Sequence, residues 1–114
     1  MTELQIFTMD DWENQVLSEE RPVLVDFQTP WCLPLILQQD ALAKLAEEVK
    51  AHSKTFKLDV SRQMAIAINY RLIDFPTLSL FKKGKLLRSC LGSGRISAMK
   101  LVFDEYLASN GKKI

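Results

Sequence analysis

The sequence predicts an α/β domain: a central mixed β-sheet of about five strands covered by four helices. Three observations carry this. Short apolar runs rich in β-branched residues alternate with amphipathic segments of helical period. The first three runs are separated by helical stretches, which favours parallel neighbours joined by right-handed crossovers. The last two runs are separated only by the charged turn KKGK, residues 82–85, and form a hairpin.

ELQIF (3–7) alternates as a short strand, and Trp12, Val16 and Leu17 lie at helical spacing behind Asp10 or Thr8 as cap. PVLVDF (22–27) is a dense apolar run of the kind buried on both faces. A long helix is expected from about 34 to 51, with Leu42, Leu45 and Val49 on one face and Lys44, Glu47, Glu48 and Lys50 off it. TFKLDV (55–60) is the next strand. Ser61 is a candidate cap for a helix over 62–70 with Met64, Ala67 and Ile68 inward. TLSLF (77–81) and LLRSCL pair around Gly84. The last helix spans about 97–109, with Ile96, Met99, Phe103, Tyr106 and Leu107 sharing a face and Asn110-Gly111 ending it.

The chain has 114 residues, 47% of them hydrophobic, which suits one domain over 1–114, with 1–2 and 111–114 expected to fray. A net charge of +1 gives no reason to expect nucleic acid or an anionic membrane as partner. The acidic start, MTELQIFTMDDWE, does not read as a signal peptide, and no apolar run approaches the ~18 residues of a bilayer span. The expected compartment is the cytoplasm, where Cys32 and Cys90 would be free thiols. His52 stands alone near a helix end. Lys82, Lys83 and Lys85 read as a solvated turn.

The stretch TPWCLPL (29–35) sets Cys32 at a strand-to-helix junction. Helix N-termini favour the thiolate, lowering a free cysteine's pKa from about 8.5 to roughly 3.5–7.5. Pro34 fits a first helical turn, where no N–H is needed.

Taken together, VLVDF (23–27), PWC-x-P (30–34), KLDV (57–60), FPTLSLFKKGK (75–85) and Gly92 resemble the thioredoxin family over nearly the whole chain. The resemblance implies the thioredoxin fold, an active loop at the start of the second helix, and a cis proline opposite it, which Pro76 matches. It implies Cys32 as nucleophile, flanked by Trp31 as a substrate platform or a loop-closing aromatic. Departures accompany it. Cys32-Leu33-Pro34-Leu35 stands where the family has Cys-Gly-Pro-Cys, so no second thiol follows. Gln28 replaces an aromatic, and Asp40 a helix-kinking proline. Asp26 and Lys57 match a family acid and lysine and are expected to form a structural pair. Cys90 could act as a resolving thiol, or strand alternation could turn it away.

One thiol can attack a disulfide, but a mixed disulfide then waits for an outside thiol. The first reading is therefore a monothiol redox protein, Cys32 forming mixed disulfides with glutathione or client proteins and needing no cofactor or metal. The second is a non-catalytic binding or holdase-like module using an apolar patch of Trp31, Leu33, Leu35, Phe75 and Leu91, with Gly92 beside it. A third, a cluster shared by two chains as in monothiol glutaredoxins, needs outside ligands, because one thiol per chain cannot complete four. A monomer or weak homodimer is expected.

Overall fold

The computed structural model describes residues 3–6, 8–30 and 39–109. The chain runs through β1 (Glu3–Ile6), α1 (Met9–Trp12) continuing as a π-helical turn (Glu13–Leu17), β2 (Val23–Gln28), α2 (Gln39–Val49), β3 (Lys54–Asp59), α3 (Met64–Asn69), β4 (Thr77–Lys82), β5 (Lys85–Leu91) and α4 (Arg95–Ala108). Among the described residues, one sheet holds five strands in the order β1-β3-β2-β4-β5. β1 and β2 run parallel to β3, and β4 is antiparallel to both β2 and β5. This is the mixed sheet expected from the sequence. None of the described helices is long and apolar enough to cross a membrane.

β2 is central and buried along its whole length, as expected of its dense apolar run. Its side chains alternate between two layers. Val23, Val25 and Phe27 enter a core with Trp12, Val16, Phe56, Leu58, Ile66, Ala67 and Phe81. Leu24 enters the other, with Leu42, Leu45 and Val49 of α2 and Met99, Val102, Phe103 and Tyr106 of α4. In the first layer Trp12, Tyr70 and Phe81 meet edge to face, with ring centroids 5.0–5.7 Å apart, a favoured aromatic geometry.

Helix starts follow local chemistry. Thr8 is the cap of α1: its Oγ1 accepts from the Asp11 N–H, and the Asp11 carboxylate accepts from the Thr8 N–H, a reciprocal capping box. Ser61 is not a cap. Its N–H and hydroxyl both donate to Asp59 Oδ1 at 2.9 and 2.6 Å, forming a turn that delays α3 to Met64. Ala67 is buried as expected, but Met64 and Ile68, also expected inward, are 56% and 65% exposed, and Ile66 is buried in their place. α4 begins at Arg95, two residues early. It buries Val102 in addition to Met99, Phe103 and Tyr106, with Ile96 and Leu107 half-buried beside them. His52 is exposed just beyond α2, and its N–H donates to the Val49 carbonyl. Lys83 sits in the hairpin turn, 3.5 Å from the Glu20 carboxylate.

Candidate functional site

Three backbone segments converge at one end of the sheet. β2 ends at Gln28, and the pairing of Phe27 with Thr77 sets that end beside Pro76. The Phe75-Pro76 peptide is cis, as the resemblance implied. Pro76 is buried and Phe75 half-buried. Thr77, paired with Leu91, brings the end of β5 alongside, and the Gly92 N–H donates to the Pro76 carbonyl at 2.9 Å. Gly92 has φ +81, a conformation glycine adopts without steric cost. The Gln28 carbonyl accepts from the Val60 N–H at 2.8 Å, tying in the end of β3. The structure thus brings Phe75, Pro76, Leu91 and Gly92 into one rim around the exit of β2. Trp31, Cys32, Leu33, Pro34 and Leu35 follow that exit in sequence and lie outside the described residues.

Beneath the rim, on the α2/α4 side of the sheet, Asp26 is fully buried. Arg95 grips it with two parallel bonds, Nε to Oδ1 and Nη2 to Oδ2, each 2.7 Å. Gln28 Nε2 adds a third bond to Oδ2, also 2.7 Å. Here the sequence expectation is corrected. Lys57 is Asp26's register neighbour on β3, but its Nζ donates to Gln39 Oε1 at 2.8 Å, and the acid's partner is Arg95. The planar guanidinium offers two donors matched to a carboxylate, which an ammonium cannot do. A buried carboxylate requires such pairing.

Sequence reasoning missed Arg95. With the helix expected to start at about 97, Arg95 lay outside it; only the observed start at Arg95 puts a cation in the first turn, where it opposes the macrodipole. Gln28, read only as a departure from an aromatic, is likewise part of this cluster.

Cys90 carries a free thiol. It lies in register with Leu78, itself opposite Asp26, and packs half-buried against the α2/α4 core layer. Burial pushes its pKa up, partly offset by the nearby Arg88 charge. A thiol held in its neutral form is a poor nucleophile.

Beside the rim lies an apolar groove of about 250 Å³ lined by Val60, Met64, Ala67, Ile68, Leu72, Ile73 and Phe75. Ile73 is 84% and Leu91 56% exposed. Phe75 and Leu91 belong to the patch expected from sequence. Met64, Ile68 and Ile73 extend it.

The thioredoxin family model matches residues 3–105. The chain is 32% identical over 99 residues to thioredoxin M5, chloroplastic, of Oryza sativa, covering 87% of this chain and 58% of that protein. It is 32% identical over 106 residues to thioredoxin M-type, chloroplastic, of Spinacia oleracea, covering 93% of this chain and 59% of that protein. A thioredoxin of Porphyra purpurea is 29% identical over 97 residues, 85% of this chain and 91% of its own length. The chain therefore spans less than two thirds of the two chloroplast relatives and nearly all of the third. With a family match over almost its whole length and a five-stranded mixed sheet bearing a cis Phe75-Pro76 step at its rim, this chain belongs to the thioredoxin family.

Proposed function

We propose that this chain is a thioredoxin-like redox protein with a single site thiol, Cys32, that forms mixed disulfides with client proteins or glutathione. The observation that carries the reading is Cys32-Leu33-Pro34-Leu35 in a family member, directly after the exit of β2: a thiol at the position of the family's nucleophile and a leucine at the position of its partner.

The Cys32 thiolate attacks one sulfur of a client disulfide. The S–S bond breaks, a Cys32–client disulfide forms, and the other sulfur leaves as thiolate and takes a proton from water. A glutathione thiolate then attacks the client sulfur of the adduct, restoring the Cys32 thiolate and carrying the client away as its glutathione disulfide. Leu35 has no thiol to perform that second attack internally, so ordinary dithiol reduction is absent. The setting implied is a reducing compartment that supplies glutathione.

The test is the alkylation rate of Cys32 against pH in a Cys90→Ser background. An apparent pKa below about 7 supports an activated nucleophile, and one at or above ~8.5 overturns it.

The exposed groove around Ile73 and Phe75 favours a second reading, a partner-binding module without redox chemistry. It expects Cys32→Ser to leave partner binding intact and Leu33→Asp to abolish it.

A further inference from the structure

Arg95 reaches two backbone segments of the rim from a third element. As the first residue of α4, it holds both oxygens of Asp26 on β2 through Nε and Nη2, and its Nη1 reaches the Gly92 carbonyl at 3.3 Å. Its own N–H donates to the same carbonyl at 3.1 Å. Gly92 in turn donates its N–H to the Pro76 carbonyl, and Gln28, the last residue of β2, donates to Asp26. Gln28, Asp26, Arg95, Gly92 and Pro76 form one continuous hydrogen-bonded chain across all three segments. Arg95 and Asp26 are almost completely buried, at 1% and 0% exposed. Bonds in such a setting are strong and geometrically exacting.

We propose that Arg95 is a positioning residue for the rim: it sets the Gly92 turn and the Pro76 step against the end of β2, and so governs capture of an extended peptide disulfide more than of a small one. The proposal rests on the mixed-disulfide reading for its client. A small disulfide needs only an accessible thiol. An extended peptide also needs a surface to lie on, which in this reading the rim supplies with its exposed Leu91 and half-buried Phe75, so displacing the rim by a fraction of an ångström affects the peptide selectively.

The test uses the full chain in a Cys90→Ser background, with Arg95→Lys as the principal variant. Lysine keeps a cation beside Asp26 but cannot grip both oxygens and Gly92 at once. The first readout is amide hydrogen exchange at Gly92, expected to quicken by roughly tenfold or more while core amides of α2 and α4 hold their rates. The second is the rate of Cys32 mixed-disulfide formation with glutathione disulfide and with a peptide of about ten residues carrying a glutathione-linked cysteine. The peptide rate should fall by roughly tenfold, with the small-disulfide rate kept within about threefold. An unchanged Gly92 amide overturns the proposal, as does an equal change in the two rates. If the unaltered Cys32 reacts with neither disulfide, the redox reading fails, and Gly92 exchange alone decides the role of Arg95. Should Arg95→Lys not fold, Arg95→Gln with Asp26→Asn removes both charges together and carries the same readouts.

Discussion

Leu17 lies over Gly84 so closely that a Cβ on the glycine would stand 2.5 Å from Leu17 Cδ2. Gly84 also has φ +78 and follows Lys83 at φ +52, a hairpin turn with two left-handed residues. Tyr70 donates its hydroxyl to the Gly84 carbonyl, tying the turn to the end of α3. Gly84→Ala should cost about 1–2 kcal/mol from the backbone conformation alone, plus the displacement of Leu17. In urea unfolding, adding Leu17→Ala should relieve the crowding without recovering the backbone part. A Gly84→Ala midpoint equal to that of the unaltered chain would refute this account.

The Asp26–Arg95 pair should behave as a unit. Arg95→Met alone leaves a buried carboxylate without its cation and should destabilise by about 3–5 kcal/mol. Asp26→Leu alone leaves the reciprocal buried cation. The double substitution should recover most of either loss, because two apolar groups need no pairing. Urea unfolding of the four proteins gives the coupling energy directly. Simple additivity of the two single losses contradicts the pairing.

Acid should weaken the corner where β3 begins. Glu19 accepts from Lys54 Nζ at 2.9 Å and from the Arg21 N–H at 3.1 Å. The Lys54 bond first, then the Arg21 backbone, lowers the Glu19 pKa from 4.5 to about 2. A folded-state pKa below the unfolded one means that the contribution is complete above 4.5 and is lost as pH falls towards 2. Comparing urea midpoints of the unaltered chain and Glu19→Gln from pH 7 to 2, the gap should hold to about pH 5 and then close. A gap that stays constant to pH 2 rules this out.

Cys90 should be a sluggish thiol. With its pKa raised by burial, iodoacetamide should modify it in a Cys32→Ser background more slowly than it modifies free glutathione at pH 8.5. Unfolding in urea should abolish the difference. Mass spectrometry over time reads both arms, and modification in the folded chain as fast as glutathione's overturns the prediction.

Much of the fold was legible because local patterns sufficed. In β2 a dense apolar run with β-branched Val23 and Val25 favoured a buried strand, and in α2 Leu42, Leu45 and Val49 were spaced widely enough to select one face. α3 was misjudged because Met64-Ala65-Ile66-Ala67-Ile68 is apolar throughout, so periodicity singles out no side. The contact that decided its orientation, Ile66 and Ala67 on the aromatic layer, is tertiary. The rim residues Pro76 and Gly92 were legible through the resemblance to the thioredoxin family, and Phe75 and Leu91 as members of an expected apolar patch. Arg95 was not, because its partner lies 69 positions away and only the folded sheet makes them neighbours. Lys57, on the strand paired with Asp26, was the nearer choice on paper. The guanidinium's two-pronged geometry overrode it.

A strand with side chains alternating by twos can pair one residue out of step, turning every side chain to the opposite face. In β2, whose flanks are both apolar, hydrophobicity alone would punish such a slip weakly. Asp26 changes that. One step out, it would face Trp12, Phe56 and Phe81, while Phe27 would turn towards the guanidinium of Arg95. Both charges would then be buried without partners, far costlier than a misplaced valine. The ion pair thus acts on the misfolded alternatives more than on the native state. It makes the wrong alignments of the central strand expensive and leaves the chain one way to thread it.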